Sequence, residues 1–129
     1  MFSRSKIMRG KILAVDDEPD QLEAINDALK EEGFVVDTAG NGLDALKKIY
    51  NSKPDLVLVD VAMPLMSGFT FCETMKNSPL TANIPILMLT GLCGPLARLN
   101  GYAHGANAYL AKPFYPEELV AKIVELLGE

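Results

Sequence analysis

Leu56-Val-Leu-Val59, four apolar residues running into Asp60, decide how this chain folds. A strand with one wet face alternates apolar and polar residues. This one is apolar on both faces, the mark of a central strand in a parallel sheet covered on both sides. Parallel neighbours need crossover connections, usually helices, and the chain supplies them in both directions. Upstream, Lys11 to Val15 reads as a strand, and Pro19 to Glu32 as a helix with Leu22, Ile25 and Leu29 on one face. Gly33 ends that helix, Phe34 to Ala39 reads as a less buried strand interrupted by Asp37 and Thr38, and Gly42 to Ser52 is a second helix. Downstream come a helix from Phe69 to Asn77, a strand from Ile86 to Leu89, and a helix opened by Pro95 with Leu96, Leu99 and Ala103 inward. Ala108 to Ala111 and Pro116 to Leu127 complete an alternation of strands and helices, five of each. Right-handed crossovers then place helices on both faces of one sheet, a doubly wound α/β fold.

The composition fits a single domain. With 129 residues, 49% hydrophobic and 22% charged, the chain is long enough for one real core and too apolar for a disordered tail. No apolar run approaches the ~20 residues of a membrane-spanning helix. Four basic residues, Arg4, Lys6, Arg9 and Lys11, open the sequence, but the apolar run after them is too short for a signal peptide. Residues 1–9 are expected to form a mobile leader and residues 10–129 the domain. Net charge is −5, and no basic stripe interleaved with aromatics is present, which speaks against direct nucleic-acid binding. Cys72 and Cys93 form neither a disulfide framework nor a CxxC pair, so both are expected as reduced thiols in a cytoplasmic protein.

In an open α/β sheet, ligands sit beyond the carboxyl ends of the strands. Those ends carry Asp16-Asp17-Glu18, Asp60, Thr90 and Lys112-Pro113. Crowded carboxylates need a cation or raised pKa values, and hard oxygen ligands favour Mg²⁺. A carboxylate beside Mg²⁺, with an ammonium and a hydroxyl nearby, is equipped to attack phosphorus. Three of these places have a plainer reading, Asp17 or Glu18 as a helix cap, Asp60 as a turn residue and Thr90 as an ordinary strand end, whereas a strand-end Lys112 before Pro113 has no evident packing reason. Four such coincidences, each at a carboxyl strand end, are much less probable together than one site.

Four segments then make the chain recognisable. They are Ile12-Leu-Ala-Val-Asp-Asp-Glu-Pro19, Asp55-Leu-Val-Leu-Val-Asp-Val-Ala-Met-Pro64 with Gly68, Leu89-Thr90, and Gly105 to Phe114. In this order the chain resembles the receiver domain of two-component response regulators from Lys11 to Leu127. The resemblance implies a flavodoxin-like (βα)5 sandwich with strand order 2-1-3-4-5. It implies that Asp60 is phosphorylated in a Mg²⁺-dependent reaction, the ion being held by Asp16, Asp17, Asp60 and the backbone carbonyl of Ala62. Lys112 would pair with the phosphoryl group ahead of a cis bond to Pro113. Thr90 would follow the phosphate inward, and Tyr109 would move from exposed to buried. The implied partners are a histidine kinase or phosphotransfer protein, docking along the first helix and the loop after Lys112, and a downstream effector. Output would pass through the helix near Pro95, the strand Ala108–Ala111 and the final helix. Self-phosphorylation and self-dephosphorylation are the only catalysis implied.

Some positions depart from the family pattern. Ala62 and Leu92 stand where fast-cycling members often carry polar residues that position water, which implies slow loss of phosphate. Asn107 and Ala108 replace two acids, and Ala108 cannot make the inter-subunit ion pair that some dimeric members use. A second apolar stripe on the last helix, Val120, Val124 and Leu127, leaves a weak homodimer and a snugly packed helix equally open. Met63 and Met66 read as loop packing, and His104 as a contact at a helix end. Two other classes compete: a haloacid dehalogenase-type phosphohydrolase, whose Asp-x-Asp pattern Asp16-Asp17-Glu18 lacks, and a flavin-binding module, whose phosphate loop would not be acidic. A degenerate receiver acting without phosphate is a third alternative.

Overall fold

The computed structural model describes residues 9–91, Leu99 and residues 104–128. The expected leader up to Met8, Leu92, Cys93 and most of the helix opened by Pro95 lie outside the described residues. Within them, β1 (Lys11–Val15), α1 (Pro19–Glu31), β2 (Val35–Ala39), α2 (Gly42–Asn51) and β3 (Leu56–Asp60) alternate as expected. They are followed by α3 (Gly68–Lys76), β4 (Ile86–Thr90), β5 (Ala108–Ala111) and α4 (Pro116–Leu127). The sheet is parallel throughout, in the order β2-β1-β3-β4-β5. β3 is buried along its whole length, and the edge strand β2 is partly exposed.

Strand periodicity divides the core in two. Leu13, Val15, Val57, Val59, Ile86 and Met88 face α2 and α3, where Ile49 and Phe71 are fully buried. Ile12, Ala14, Leu56, Leu58, Leu87 and Leu89 face α1 and α4, against Ile25, Leu29, Leu119 and Ile123. Val120, Val124 and Leu127 pack partly buried against this second layer, so the extra stripe of the last helix serves the core. Leu99, expected on a buried face, is instead 65% exposed.

Element ends shift by a residue where a backbone bond intervenes. The Phe34 amide donates to the Leu29 carbonyl, which keeps Phe34 in the close of α1, so β2 begins at Val35. Gly33 holds the left-handed conformation (φ +94°) that this turn demands. Arg9, assigned to the leader from sequence, is tied down: its guanidinium donates to the Glu32 carbonyl at 3.2 Å and lies over the Phe34 ring. At the open edge of β2, the Lys48 ammonium bonds the Thr38 carbonyl and pairs with Asp37. Asn41 and Ser67 cap α2 and α3, their side-chain oxygens accepting from Asp44 and Thr70 amides at 2.9 and 3.2 Å.

Candidate functional site

The sheet register assembles the site. Val15 lies opposite Val59, Asp60 opposite Leu89, and Thr90 opposite Ala111, so Asp16, Asp60, Thr90 and Lys112 leave four adjacent strands at one rim. The Lys112 ammonium sits between two carboxylates, 3.3 Å from Asp16 Oδ2 and 3.5 Å from Asp60 Oδ2. Asp16 and Asp60 are 1% and 6% exposed, so this arrangement operates largely out of water. Burial pushes the Asp60 carboxyl above its ordinary value; the Lys112 ammonium and the Ala62 amide oppose the rise, and the Asp16 charge adds to it. The Lys112–Pro113 bond is cis.

The plainer reading of the first acidic run fails on geometry. Glu18 occupies the N-cap position of α1, yet its side chain makes no capping bond; Asp16 Oδ1 instead accepts from the Glu18 amide at 3.0 Å. Asp17 and Glu18 are exposed, and one oxygen from each lies within 4.8 Å of the others in the Asp16-Asp17-Glu18 group. A buried carboxylate beside two solvent-facing ones is a hard, oxygen-only donor set that fits Mg²⁺. Glu18, which this group brings beside Asp16 and Asp17, was not among the residues expected from sequence to hold the ion. The signal was its place in the acidic run, hidden because a helix N-terminus also favours acids.

Backbone bonds tie the loop after β3 to the sheet. The Gly68 amide donates to the Val61 carbonyl at 2.8 Å, and the Val61 amide to the Leu89 carbonyl at 3.1 Å. A Cβ at Gly68 would stand 2.4 Å from the Asp60 carbonyl oxygen, so only glycine lets α3 start this close to the site. Met63 and Met66 pack against the core as expected. Leu65 is 79% exposed and has a left-handed backbone (φ +70°). Thr90 is 2% and Tyr109 7% exposed, on the same face of neighbouring strands, and Tyr109 occupies a buried position. His104 Nε2 lies 3.1 Å from Glu73 Oε1 with its ring against Phe69, so α3 is its neighbour. Cys72 is enclosed, and burial pushes its thiol up to about 11, which makes it a poor nucleophile.

The comparisons agree with this geometry. The chain belongs to the response regulator receiver domain family, whose model matches residues 12–124. It is 42% identical over 117 residues to a transcriptional regulatory protein CpxR homolog of Haemophilus influenzae, covering 91% of this chain and 50% of that one. It is 35% identical to the DNA-binding dual master transcriptional regulator RpaA of Synechocystis, covering 91% of this chain and 48% of the relative. Among solved structures, chemotaxis response regulator CheY4 of Vibrio cholerae superposes with a TM-score of 0.86 at 36% identity, covering 90% of this chain and 97% of that one. A two-component response regulator from Clostridium difficile gives 0.86 at 30% identity, covering 94% and 98%.

The protein described by these residues is therefore a receiver domain of two-component response regulators, with the flavodoxin-like order expected. Family membership sets aside the phosphohydrolase and flavin readings. The chain spans about half the length of the curated relatives it matches, at 48% and 50% of the two named here. DNA binding belongs to RpaA by name, and the charge argument against nucleic acid applies to this segment alone. No helix of the described residues is long and apolar enough to cross a membrane.

Proposed function

We propose that Asp60 is the phosphoacceptor of this receiver domain. The observation that carries the reading is the Lys112 ammonium held within 3.5 Å of Asp60 Oδ2 and 3.3 Å of Asp16 Oδ2. An Asp60 oxygen attacks the phosphorus of the donor; the new O–P bond forms as the donor's bond to phosphorus breaks, and the donor keeps that electron pair. Lys112 neutralises an oxygen of the transferring group, and the Thr90 hydroxyl donates to another. Asp16, Asp17, Asp60 and the Ala62 carbonyl are the residues that would hold Mg²⁺, with Glu18 within reach. A bound divalent cation supplies positive charge to the phosphoryl oxygens. Thr90 and Tyr109, on one face of neighbouring strands, are the pair whose packing changes once phosphate draws the hydroxyl inward.

The phosphoryl source is a histidine kinase or histidine phosphotransfer protein, and the phosphorylated domain signals to an effector in the cytoplasm. The domain turns over its own phosphate and no other substrate. Residues 10–129 act as the receiver unit. Intact mass after incubation with acetyl phosphate tests this. A Mg²⁺-dependent gain of one phosphoryl group, absent in Asp60→Ala, is expected; no gain, or a gain that survives Asp60→Ala, overturns it.

A further inference from the structure

The negative charge of this protein is concentrated on one side, and its counterpart lies in the first eight residues. α1 carries Asp20, Glu23, Asp27 and Glu31 against Lys30, and α4 carries Glu117, Glu118 and Glu125 against Lys122. Seven acids against two lysines give these two helices a net −5, and all seven acids are exposed. Residues 1–8, Met-Phe-Ser-Arg-Ser-Lys-Ile-Met, hold no acid at all. Two cations, Arg4 and Lys6, stand there among the apolar Met1, Phe2, Ile7 and Met8.

Between the helices runs a groove. Its upper part, a cavity of about 400 Å³, has Ala24 and Ala28 of α1 on one wall and Pro113, Phe114 and Leu119 on the other. Its lower part, about 580 Å³, shares Ala28 and Pro116, is floored by Val120 and Ala121, and has Glu31, Glu32 and Glu117 at its rim. Among the described residues, no cation lines this lower part. Arg9 fastens the chain to that rim. Its guanidinium is 3.6 Å from Glu32 Oε1 and lies over the ring of Phe34, which belongs to the core layer under α1 and α4. Arg9 also lines a separate cavity with Leu126 and Leu127 at the close of α4. Residue 8 therefore joins the domain beside the acidic end of the groove.

We propose that residues 1–8 of this chain lie as a strap along the lower part of the groove, with Arg4 and Lys6 against Glu31 and Glu117. Charge selects this occupant: the segment carries +2 and the rim is acidic throughout. The same face of a second copy is repelled, since −5 would meet −5. Residue pattern agrees. In an extended chain Phe2, Arg4, Lys6 and Met8 fall on one side, so two apolar groups meet the Val120–Ala121 floor while the cations reach the rim. Ser3 and Ser5 then face water. Reach suffices, because eight extended residues cover about 26 Å and the 12-residue α4 is about 18 Å long. Tethered at Arg9, the segment is held near the groove at an effective concentration on the order of millimolar, so a modest affinity fills it. The groove is then occupied by the chain itself, and any other molecule that seats there must first displace residues 1–8.

The test follows trypsin cutting the full chain after Arg4 and Lys6, read by intact mass, with a synthetic peptide of residues 1–10 in the same tube as reference. At low salt these bonds are expected to be cut about tenfold more slowly in the chain than in the peptide. Glu31→Gln/Glu117→Gln removes two rim charges without adding a trypsin site, and should bring the two rates to within about twofold. Raising salt from about 0.05 to 0.5 M should do the same to the wild-type chain. In the full chain, Arg4→Gln/Lys6→Gln should shift the amide resonances of Ala28, Val120 and Ala121 and leave those of β3 in place. Equal protection in wild type and Glu31→Gln/Glu117→Gln, or resonances that move only elsewhere, would overturn the proposal and leave the groove to a partner protein. Protection that vanishes on dilution would place residues 1–8 in the groove of a second copy and overturn the strap within one chain.

Discussion

Replacing Gly68 by alanine inserts one methyl group where the structure has no room for it. The added Cβ would meet the Asp60 carbonyl oxygen at 2.4 Å, the Val61 Cα at 2.8 Å and the Asp60 carbonyl carbon at 3.0 Å. All three are backbone atoms, so no rotamer change relieves the contact. Restoring ordinary spacing requires the start of α3 to retreat by about 1 Å, which strains the Gly68 amide bond to Val61. Overpacking of this kind costs about 1–3 kcal/mol, a weakened backbone hydrogen bond about 1, and alanine's better helix propensity returns up to about 1. The expected net destabilisation is about 2 kcal/mol, read as a lower urea midpoint at unchanged slope. Gly40→Ala is the control: an added Cβ there meets no described atom within 4 Å, so stability should hold or rise by about 0.4–1 kcal/mol. Labelling by acetyl phosphate should fall in Gly68→Ala and stay normal in Gly40→Ala, because only the former displaces the residue proposed to react. A Gly68→Ala protein within about 0.5 kcal/mol of wild type would refute the close approach on which this reasoning depends.

Four further outcomes are expected. Because burial raises the Asp60 carboxyl above 3.8, folding favours its protonated form, and stability is lost as pH rises from the unfolded value through the folded one. Asp60→Asn should therefore melt higher than wild type at pH 7 without metal, with the gap closing below about pH 4 in thermal scans. Lys112→Ala leaves Asp16 and Asp60 facing each other without the ammonium, and labelling should drop about 100-fold with Mg²⁺ still bound by titration. Leu65→Gly relieves a left-handed leucine that is 79% exposed, and should raise the unfolding free energy by about 1 kcal/mol in urea. Phosphate on Asp60 should persist well beyond seconds, and Ala62→Asn should hasten its loss about tenfold in time-resolved intact mass; decay within seconds in wild type contradicts the apolar-flank argument.

Much of this molecule was legible from short-range pattern. Leu56 to Val59 declares a central strand because nothing in that stretch tolerates water, and the alternation of elements follows from what a parallel strand requires. Asp16, Asp60, Thr90 and Lys112 could be grouped because strand ends in such a sheet converge. What sequence hides is long-range or shared. The bond of Lys112 to Asp16 spans 96 positions, and only the register of four strands makes it. The freedom of Glu18 from capping duty is a matter of one side-chain direction, and the left-handed Leu65 gives no signal in its residue type. The concentration of charge on α1 and α4 is invisible in a total of −5 until the fold sets two distant helices side by side.

The lysine on the outer edge of the sheet has a consequence for how the protein behaves in quantity. A parallel sheet ends in a strand with unsatisfied backbone groups, and β2, only partly buried, is such a boundary. Lys48 occupies the outward Thr38 carbonyl and places a positive charge where an incoming strand would have to hydrogen-bond. Another chain could pair there only by stripping the ammonium from both Thr38 and Asp37. A signalling protein counts only while its copies stay separate and available, and one side chain guards that condition at the place where the architecture itself would permit chains to stack.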